Sequence, residues 1–158
     1  MRKITVMLIC LFLLISGCSK DTEINDNPTE KESEPETVQE VKEMKMMIND
    51  TYVEVAWEEN ASVEALKEMC KNGNVTVEMS MYGGFEQVGY LGKSLPSNDR
   101  QTTTASGDIV LYSSDNIVVF YGSNSWSYTR LGHITDKTES EIKDLLGNGD
   151  VKLTLVME

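Results

Sequence analysis

The sequence predicts a mainly β domain that closes into an antiparallel barrel and carries two short helices. Short apolar or alternating segments recur from Met44 onward, turn residues separate them, and only two segments have helical spacing. Many short strands at close intervals, with Gly, Asn, Asp and Ser between them, are typical of closed antiparallel barrels. The barrel domain is therefore predicted over residues 44–158.

Seven strands can be placed from the apolar pattern. They cover residues 45–48, 51–57, 75–82, 108–112, 117–121, 128–134 and 151–157. Asn49-Asp50 is a two-residue hairpin signal between the first two strands. The stretch from Phe85 to Ser106 contains Gly92, Pro96 and many polar residues, so it is predicted to be rich in loop.

Two helices are predicted from their start signals. Asn60 or Ser62 caps the first helix, which runs to about Lys71. The segment 138–141 (Thr-Glu-Ser-Glu) has the spacing of a capping box and opens the second helix, which ends at Leu146.

The first 17 residues have the composition of an export signal. A basic start is followed by an apolar stretch over residues 4–15, then by Ser16-Gly17 and Cys18. This order resembles the lipobox of bacterial lipoproteins. The resemblance implies that the signal 1–17 is removed and that Cys18 becomes the new N-terminus. The Cys18 thiol would carry a diacylglyceryl group with acyl chains such as palmitate.

Two other kinds of N-terminal segment are alternatives to the lipoprotein signal. A membrane-spanning anchor needs about 20 apolar residues, and the apolar stretch is shorter. A plain secretory signal would leave Cys18 as an ordinary thiol. A lipoprotein signal predicts a protein anchored on the extracytoplasmic face of a bacterial cell membrane, in a Gram-positive envelope. The membrane is then a partner of the protein through the lipid on Cys18.

Residues 18–43 are predicted to be a disordered acidic linker. Between Lys20 and Glu43 there are nine acidic and three basic side chains and almost no large apolar ones. The whole chain has a formal net charge of −12. Because phosphate contacts supply most nucleic-acid affinity, this charge argues against a nucleic-acid partner.

The cysteines and the single histidine offer little for metal or redox chemistry. Cys10 leaves with the signal and Cys18 is acylated, so Cys70 is the one thiol left, and it lies on a predicted apolar helix face. His133 has no ligand-spaced cluster around it. A triad can be drawn from Ser127, His133 and Asp108, but no nucleophile-elbow pattern supports it. No cofactor or metal is expected.

Three segments resemble a known family: Gly107–Tyr112, Ile117–Tyr121 and Ser127–Ile134. Together with the hairpin at residues 46–50, they are similar to the minimal bacterial cyclophilin-like domains, relatives of the cyclophilin peptidyl-prolyl isomerases. The resemblance implies an eight-stranded barrel capped by two helices. It does not imply isomerase activity.

The resemblance can be followed residue by residue. Cyclophilins place an arginine on an early barrel strand to polarise the proline amide, and the comparable strand 75–82 has none. Phe120 matches a pocket phenylalanine, Val118 stands near the position of a substrate-binding glutamine, and Tyr128 falls near a pocket histidine. The apolar floor is thus predicted to persist without the polar groups of catalysis.

Arg130 and the aromatic residues are the remaining candidates for a site. Arg130 could bind a carboxylate or phosphate, or could pair with a neighbouring carboxylate in a structural role. Several tyrosines and Trp126 are expected to line the barrel mouth. The predicted ligand pocket consists of Phe85, Tyr90, Gln101, Phe120, Tyr128 and Arg130. The predicted function is non-catalytic binding of a peptide or small ligand. The alternative is a prolyl isomerase that assists the folding of exported proteins.

Overall fold

The computed structural model describes residues 42–158, which form ten strands and two helices. The strands are β1 (Met44–Ile48), β2 (Thr51–Val53), β3 (Val55–Trp57), β4 (Val75–Tyr82), β5 (Glu86–Tyr90), β6 (Arg100–Thr103), β7 (Asp108–Tyr112), β8 (Asn116–Phe120), β9 (Ser125–Ile134) and β10 (Val151–Met157). The helices are α1 (Ala61–Cys70) and α2 (Glu139–Leu146). The predicted signal, Cys18 and the linker up to residue 41 lie outside the described residues.

The strands form a nearly closed antiparallel barrel. Nine of them follow the order β2-β1-β10-β4-β5-β8-β7-β9-β3, and β6 pairs with β9 beside this path. The two ends of the path, β2 and β3, are separated along the chain by Glu54 alone. If β2 and β3 are counted as one strand, the path contains eight strands, which is the number that the sequence resemblance implies. The predicted fold class is therefore confirmed.

One apolar core fills the barrel and includes both helices. Its strand residues include Ile109, Leu111, Ile117, Val119, Leu131 and Leu153, all at most 1% exposed. Leu66 of α1 and Leu146 of α2 are fully buried in the same core. Each such side chain contributes about 1.5–3 kcal/mol by leaving water. Cys70 lies in this core as predicted, and burial raises the pKa of its thiol.

Side chains cap the start of both helices, and one of them also joins α1 to the barrel. The Asn60 side chain accepts hydrogen bonds from the backbone amides of Ser62 and Val63, both at 3.0 Å, and its amide nitrogen donates to the Arg130 carbonyl at 2.8 Å. Thr138 and Glu141 form the predicted capping box of α2. The helix starts therefore follow from residues that the sequence identifies.

Most of residues 85–106 lie outside strands, as predicted, but the segment also contains two strands that the sequence does not indicate, β5 and β6. Strand β6 lacks the apolar alternation that signals a strand, and in β5 the alternation is limited to Val88 and Tyr90. The sequence of β5 is Glu-Gln-Val-Gly-Tyr, and β6 has no apolar residue at all. Their strand character comes from backbone pairing with β4, β8 and β9, which the local sequence does not report. Among the described residues, no helix has the length and apolar character needed to cross a membrane.

Candidate functional site

A second apolar cluster lies on the outer face of the barrel. It contains Val110, Val118, Phe120 and Tyr128, with Phe85 and Val88 packed against it. Because side chains alternate along each strand, the neighbours of these residues point into the barrel core. The cluster therefore covers the outside of the sheet β5-β8-β7-β9, and not the barrel mouth where the aromatic side chains were expected.

The aromatic rings of this face form a continuous chain of contacts. Phe85 is stacked on Phe120 with ring centroids 6.5 Å apart, and Phe120 meets Tyr128 edge-on at 5.7 Å. Tyr128 in turn meets Tyr112 edge-on at 6.1 Å. Edge-on and offset contacts at these distances are favourable for aromatic pairs. The rings thus form an apolar floor made by three strands, β7, β8 and β9, and the turn before β5.

The turn before β5 lets Phe85 join this floor. Gly83 has a φ of +62°, which favours glycine, and a Cβ there would come within 2.4 Å of the Phe85 ring. The Gly83-Gly84 pair therefore supplies both the turn and the space that the ring occupies.

A cleft of about 260 Å³ opens next to this floor. It is lined by Tyr82, Glu86, Val88, Tyr112, Val118, Asn124, Trp126 and Tyr128, and we call it the Glu86 cleft. Trp126 and Tyr82 at its rim are 59% and 67% exposed, whereas Tyr128 is 5% exposed. The cleft thus has an aromatic rim, an aromatic wall and a single acidic residue.

Glu86 is the unusual residue of the cleft. Its side chain is only 6% exposed, and its Oε2 atom is buried without a hydrogen-bond partner among residues 42–158. Within those residues, no lysine, arginine or histidine forms an ion pair with it. Burial raises the pKa of Glu86 from 4.5 to about 7. An unpaired buried carboxyl of this kind is costly for the fold and is a common sign of a functional site.

A second groove, of about 340 Å³, lies on the other side of Tyr128. It runs between the start of α1, the segment around Pro96 and strands β6 and β9, and both Arg100 and Arg130 line it. We call it the Arg130 groove. Tyr128 borders both cavities, so one extended ligand could contact both.

Arg130 is held by a buried carboxylate. Its two terminal nitrogens donate to the two oxygens of Asp108, each at 3.1 Å. Asp108 also accepts from the Ala105 amide, and its Oδ1 lies 2.9 Å from Nδ1 of His133. Burial alone would raise the pKa of Asp108, but the hydrogen bonds from Arg130, Ala105 and His133 outweigh it and lower that pKa. Arg130 thus pairs with a neighbouring carboxylate, which is the structural role that the sequence leaves open for it.

A β-bulge in β9 makes this arrangement possible. Residues three apart on a regular strand point to opposite faces, yet Arg130 and His133 both reach Asp108. Ile109 pairs with Gly132 while Val110 pairs with Arg130, so Leu131 is the extra residue. The bulge therefore turns both side chains toward the start of β7.

Four of the six predicted pocket residues lie near one another in the structure, and the other two lie elsewhere. Phe85, Phe120 and Tyr128 share the apolar floor. Arg130 lines the adjacent groove. Tyr90 is 61% exposed at the far end of β5, Gln101 is exposed on β6, and neither lines either cavity.

Glu86 was missed by the sequence reasoning. It follows Gly83-Gly84 and Phe85, where an acidic residue is expected to be solvated. The weak alternation of Glu86, Val88 and Tyr90 is the one signal that could have placed it on a strand face. Its burial depends on rings from β7 and β9 and on Asn124, which no local pattern reports.

Comparison with models of known protein families matches residues 46–156 to the one described as the cyclophilin-like family. The chain belongs to the cyclophilin-like family. The match covers well over half of the 158 residues and every strand and helix from β1 to β10 in whole or in large part. Comparisons with curated proteins and with solved structures gave no match.

Membership of the cyclophilin-like family agrees with the barrel and says nothing by itself about a reaction. In this member, β4 (Val75–Tyr82) carries no arginine, and the lining of the Glu86 cleft has no basic side chain. Residues 42–158 contain no group of three or more His, Cys, Asp or Glu side chains placed to share a metal ion. The polar groups in the lining of the cleft are thus three phenol hydroxyls, one indole N–H, one amide and one carboxyl group.

Proposed function

We propose that this protein is a lipid-anchored, extracytoplasmic binding module, and that its Glu86 cleft takes up a peptide or small ligand without covalent chemistry. The observation that carries the binding role is the buried, unpartnered carboxyl of Glu86 at an aromatic cleft. Burying such a group has a cost that folding alone does not explain, and a ligand that supplies its missing hydrogen bond would offset it.

The size and shape of the cavities support a small ligand or a single side chain. Clefts for drug-sized ligands measure about 300–1,000 Å³, and the Glu86 cleft is just below this range. A peptide could place one side chain there and continue across Tyr128 into the Arg130 groove. Exposed aromatic residues at the rim, such as Trp126, are the type that anchors protein contacts.

The proposal of a non-catalytic role rests on the polar groups. Lowering the barrier of about 18–20 kcal/mol to proline isomerisation requires a group that weakens amide resonance. Cyclophilins use an arginine for this, and here the guanidinium of Arg130 is engaged by both oxygens of Asp108. We therefore expect no isomerase activity.

The membrane anchor in this proposal rests on the residues before and after Cys18. An apolar segment that ends in Ile15-Ser16-Gly17 and is followed by a cysteine supports lipidation at that cysteine. The acidic linker would then hold the domain away from anionic head groups.

The binding role can be tested with ¹⁵N-labelled domain and a panel of N-acetylated tripeptide amides that contain lysine, arginine, glutamate, phenylalanine or proline. At least one peptide is expected to move the indole signal of Trp126 while leaving that of Trp57, the chain's other tryptophan, in place. Trp126→Ala should abolish the binding, read in this variant from the side-chain amide signal of Asn124 in the same cleft. The matched control Tyr90→Ala, which removes an equally exposed ring outside the cleft, should not.

Two results would contradict the proposal. If no peptide shifts any cleft signal, or if Tyr90→Ala and not Trp126→Ala abolishes binding, the cleft is not the site. If the domain accelerates cis/trans exchange of the proline peptide above the uncatalysed rate, the non-catalytic part is wrong.

A further inference from the structure

We propose that the Glu86 cleft selects a protonated primary amine, such as a lysine side chain or a free alkylammonium ion. This inference rests on the proposed binding role and names the chemistry of its ligand. It comes from three features of the cleft: a buried acceptor without a donor, a set of aromatic faces and the absence of any basic side chain in the lining.

The carboxyl group supplies the first requirement. Oε2 of Glu86 is buried and receives no hydrogen bond from residues 42–158, although a carboxylate oxygen is a strong acceptor. A primary ammonium offers three N–H donors together with a positive charge. Its hydrogen bond to this oxygen would be charge-assisted and would lie where water has little access.

The rings supply the second requirement. Tyr82, Tyr112, Trp126 and Tyr128 come from different parts of the sheet and line one cleft. The faces of tyrosine and tryptophan rings attract cations, most strongly where water is displaced. The methylene stem of an alkylammonium ion would pack against Val88 and Val118 in the same cleft.

The neighbours of Glu86 make the binding depend on pH in a defined direction. The titratable groups that face it are phenols: Tyr82 on β4, Tyr112 on β7, the neighbouring Tyr121 after β8, and Tyr128 on β9. Burial and the nearby Glu86 raise the pKa of Tyr121 and Tyr128 above their ordinary value of 10.0. With the pKa of Glu86 at about 7, the carboxylate is therefore the group in the cleft that forms between pH 6 and pH 8.

The direction in which affinity changes with pH distinguishes two kinds of ligand. An ammonium ion binds the carboxylate, so its affinity should rise about tenfold from pH 6 to pH 8. A neutral carbonyl ligand would instead accept a hydrogen bond from the protonated acid, and its affinity would fall over the same range. The sign of the slope thus reports the charge of the ligand.

The experiment titrates the ¹⁵N-labelled domain with Nα-acetyl-lysine N-methylamide, and in separate arms with n-butylammonium and with the neutral 1-butanol. We expect both ammonium probes to move the Trp126 indole signal, with 1-butanol weaker by more than about tenfold. Tighter binding of the lysine derivative would indicate a peptide source, and equal binding a free amine. Either order supports an ammonium ligand.

Two variants complete the test. Glu86→Gln keeps the shape of the side chain and should weaken ammonium binding by more than about tenfold and remove its pH dependence. Glu78→Gln, on the exposed face of β4, removes the same charge away from the cleft and should change neither.

The outcomes separate this inference from the proposed function. If 1-butanol binds as well as n-butylammonium, if Glu86→Gln binds as tightly as the wild type, or if affinity falls from pH 6 to pH 8, the inference is wrong and the cleft remains a binding site. If the tripeptide panel shifts Trp126 but no ammonium probe does, the inference is also wrong. If neither the panel nor the probes shift it, the proposed function fails as well.

Discussion

Glu86 and Asp108 are both buried acids on the outer face of one sheet, with opposite electrostatic surroundings. Asp108 receives three kinds of donor, from Arg130, His133 and the Ala105 amide, while Oε2 of Glu86 receives none. The pKa of Asp108 is accordingly lowered and that of Glu86 is raised. We interpret Asp108 as a structural acid that joins β7 to β9, and Glu86 as the binding acid.

The raised pKa of Glu86 should make the domain less stable as the pH rises. The folded pKa of about 7 lies above the ordinary 4.5, so the folded state holds a proton that the unfolded state releases between these values. The full shift corresponds to about 3 kcal/mol, and the open mouth of the cleft reduces this to about 2 kcal/mol. Glu86→Gln should therefore be more stable than the wild type by about 2 kcal/mol at pH 8 and nearly equal to it at pH 4. Urea unfolding at the two pH values measures the difference in the free energy of unfolding between Glu86→Gln and the wild type. An equal difference at both pH values would contradict the prediction.

Asp108→Asn should destabilise the domain at neutral pH. Its carboxylate stabilises the fold above the ordinary pKa of 3.8, and this contribution is lost as the pH falls through the lowered folded pKa. The substitution leaves the Arg130 guanidinium without its counter-charge and Nδ1 of His133 without its carboxylate partner, which costs about 2 kcal/mol. Urea unfolding at pH 7 should show a lower free energy of unfolding for Asp108→Asn than for the wild type. This difference should become smaller below pH 3.8. A variant as stable as the wild type at pH 7 would show that the Asp108 cluster is not structural.

At the scale of elements, sequence reasoning succeeded where local signals decide the structure. Asn60, Thr138 and the Asn49-Asp50 turn begin or join elements through their own side chains and backbone preferences, and all three lie as predicted. The strands β5 and β6 were missed because neighbouring strands, and not their own residues, stabilise them. The site could not be predicted for the same reason, because the Glu86 cleft forms only when several strands lie side by side: β4, β5, β7, β8 and β9.

Asn60 has two roles at the start of α1, and substitutions can separate them. Its oxygen caps the helix, and its amide nitrogen holds the helix to the Arg130 carbonyl. Asn60→Asp keeps the cap and loses the donor, so it should cost about 1 kcal/mol, whereas Asn60→Ala loses both and should cost about 2 kcal/mol. Thr138→Ala, a change at the α2 cap, should cost about 1 kcal/mol and serves as the control. Urea unfolding of the three variants would contradict this account if Asn60→Asp and Asn60→Ala were equally destabilised.

At the scale of the whole molecule, we propose that a leader with an anchoring signal precedes a barrel whose outer face carries the binding cleft. The barrel core is continuous with both helices, and the cleft lies outside it on the opposite face of the sheet. Changes at the cleft rim should therefore alter binding with little effect on folding. This separation is what a tethered binding module requires.

The anchoring proposal makes a direct prediction for the full chain expressed in a Gram-positive host. The wild-type protein should incorporate labelled palmitate and sediment with membranes, because two or more acyl chains hold a protein durably on a bilayer. Cys18→Ser should lose the label and leave the membrane fraction, while the control Cys70→Ser should retain both. Unchanged labelling of Cys18→Ser would show that Cys18 is not the lipidated residue.

Glu86 is a buried acid without a hydrogen-bond partner for Oε2 among residues 42–158, and we propose that a ligand donates the missing hydrogen bond. The most direct measurement is the ¹³C chemical shift of its side-chain carboxyl as a function of pH, in the free domain and with n-butylammonium present. We predict a midpoint near pH 7 in the free domain, as burial requires, and a lower midpoint with the ammonium ion bound. A midpoint near the ordinary 4.5 in the free domain, unchanged by the ammonium ion, would contradict the account.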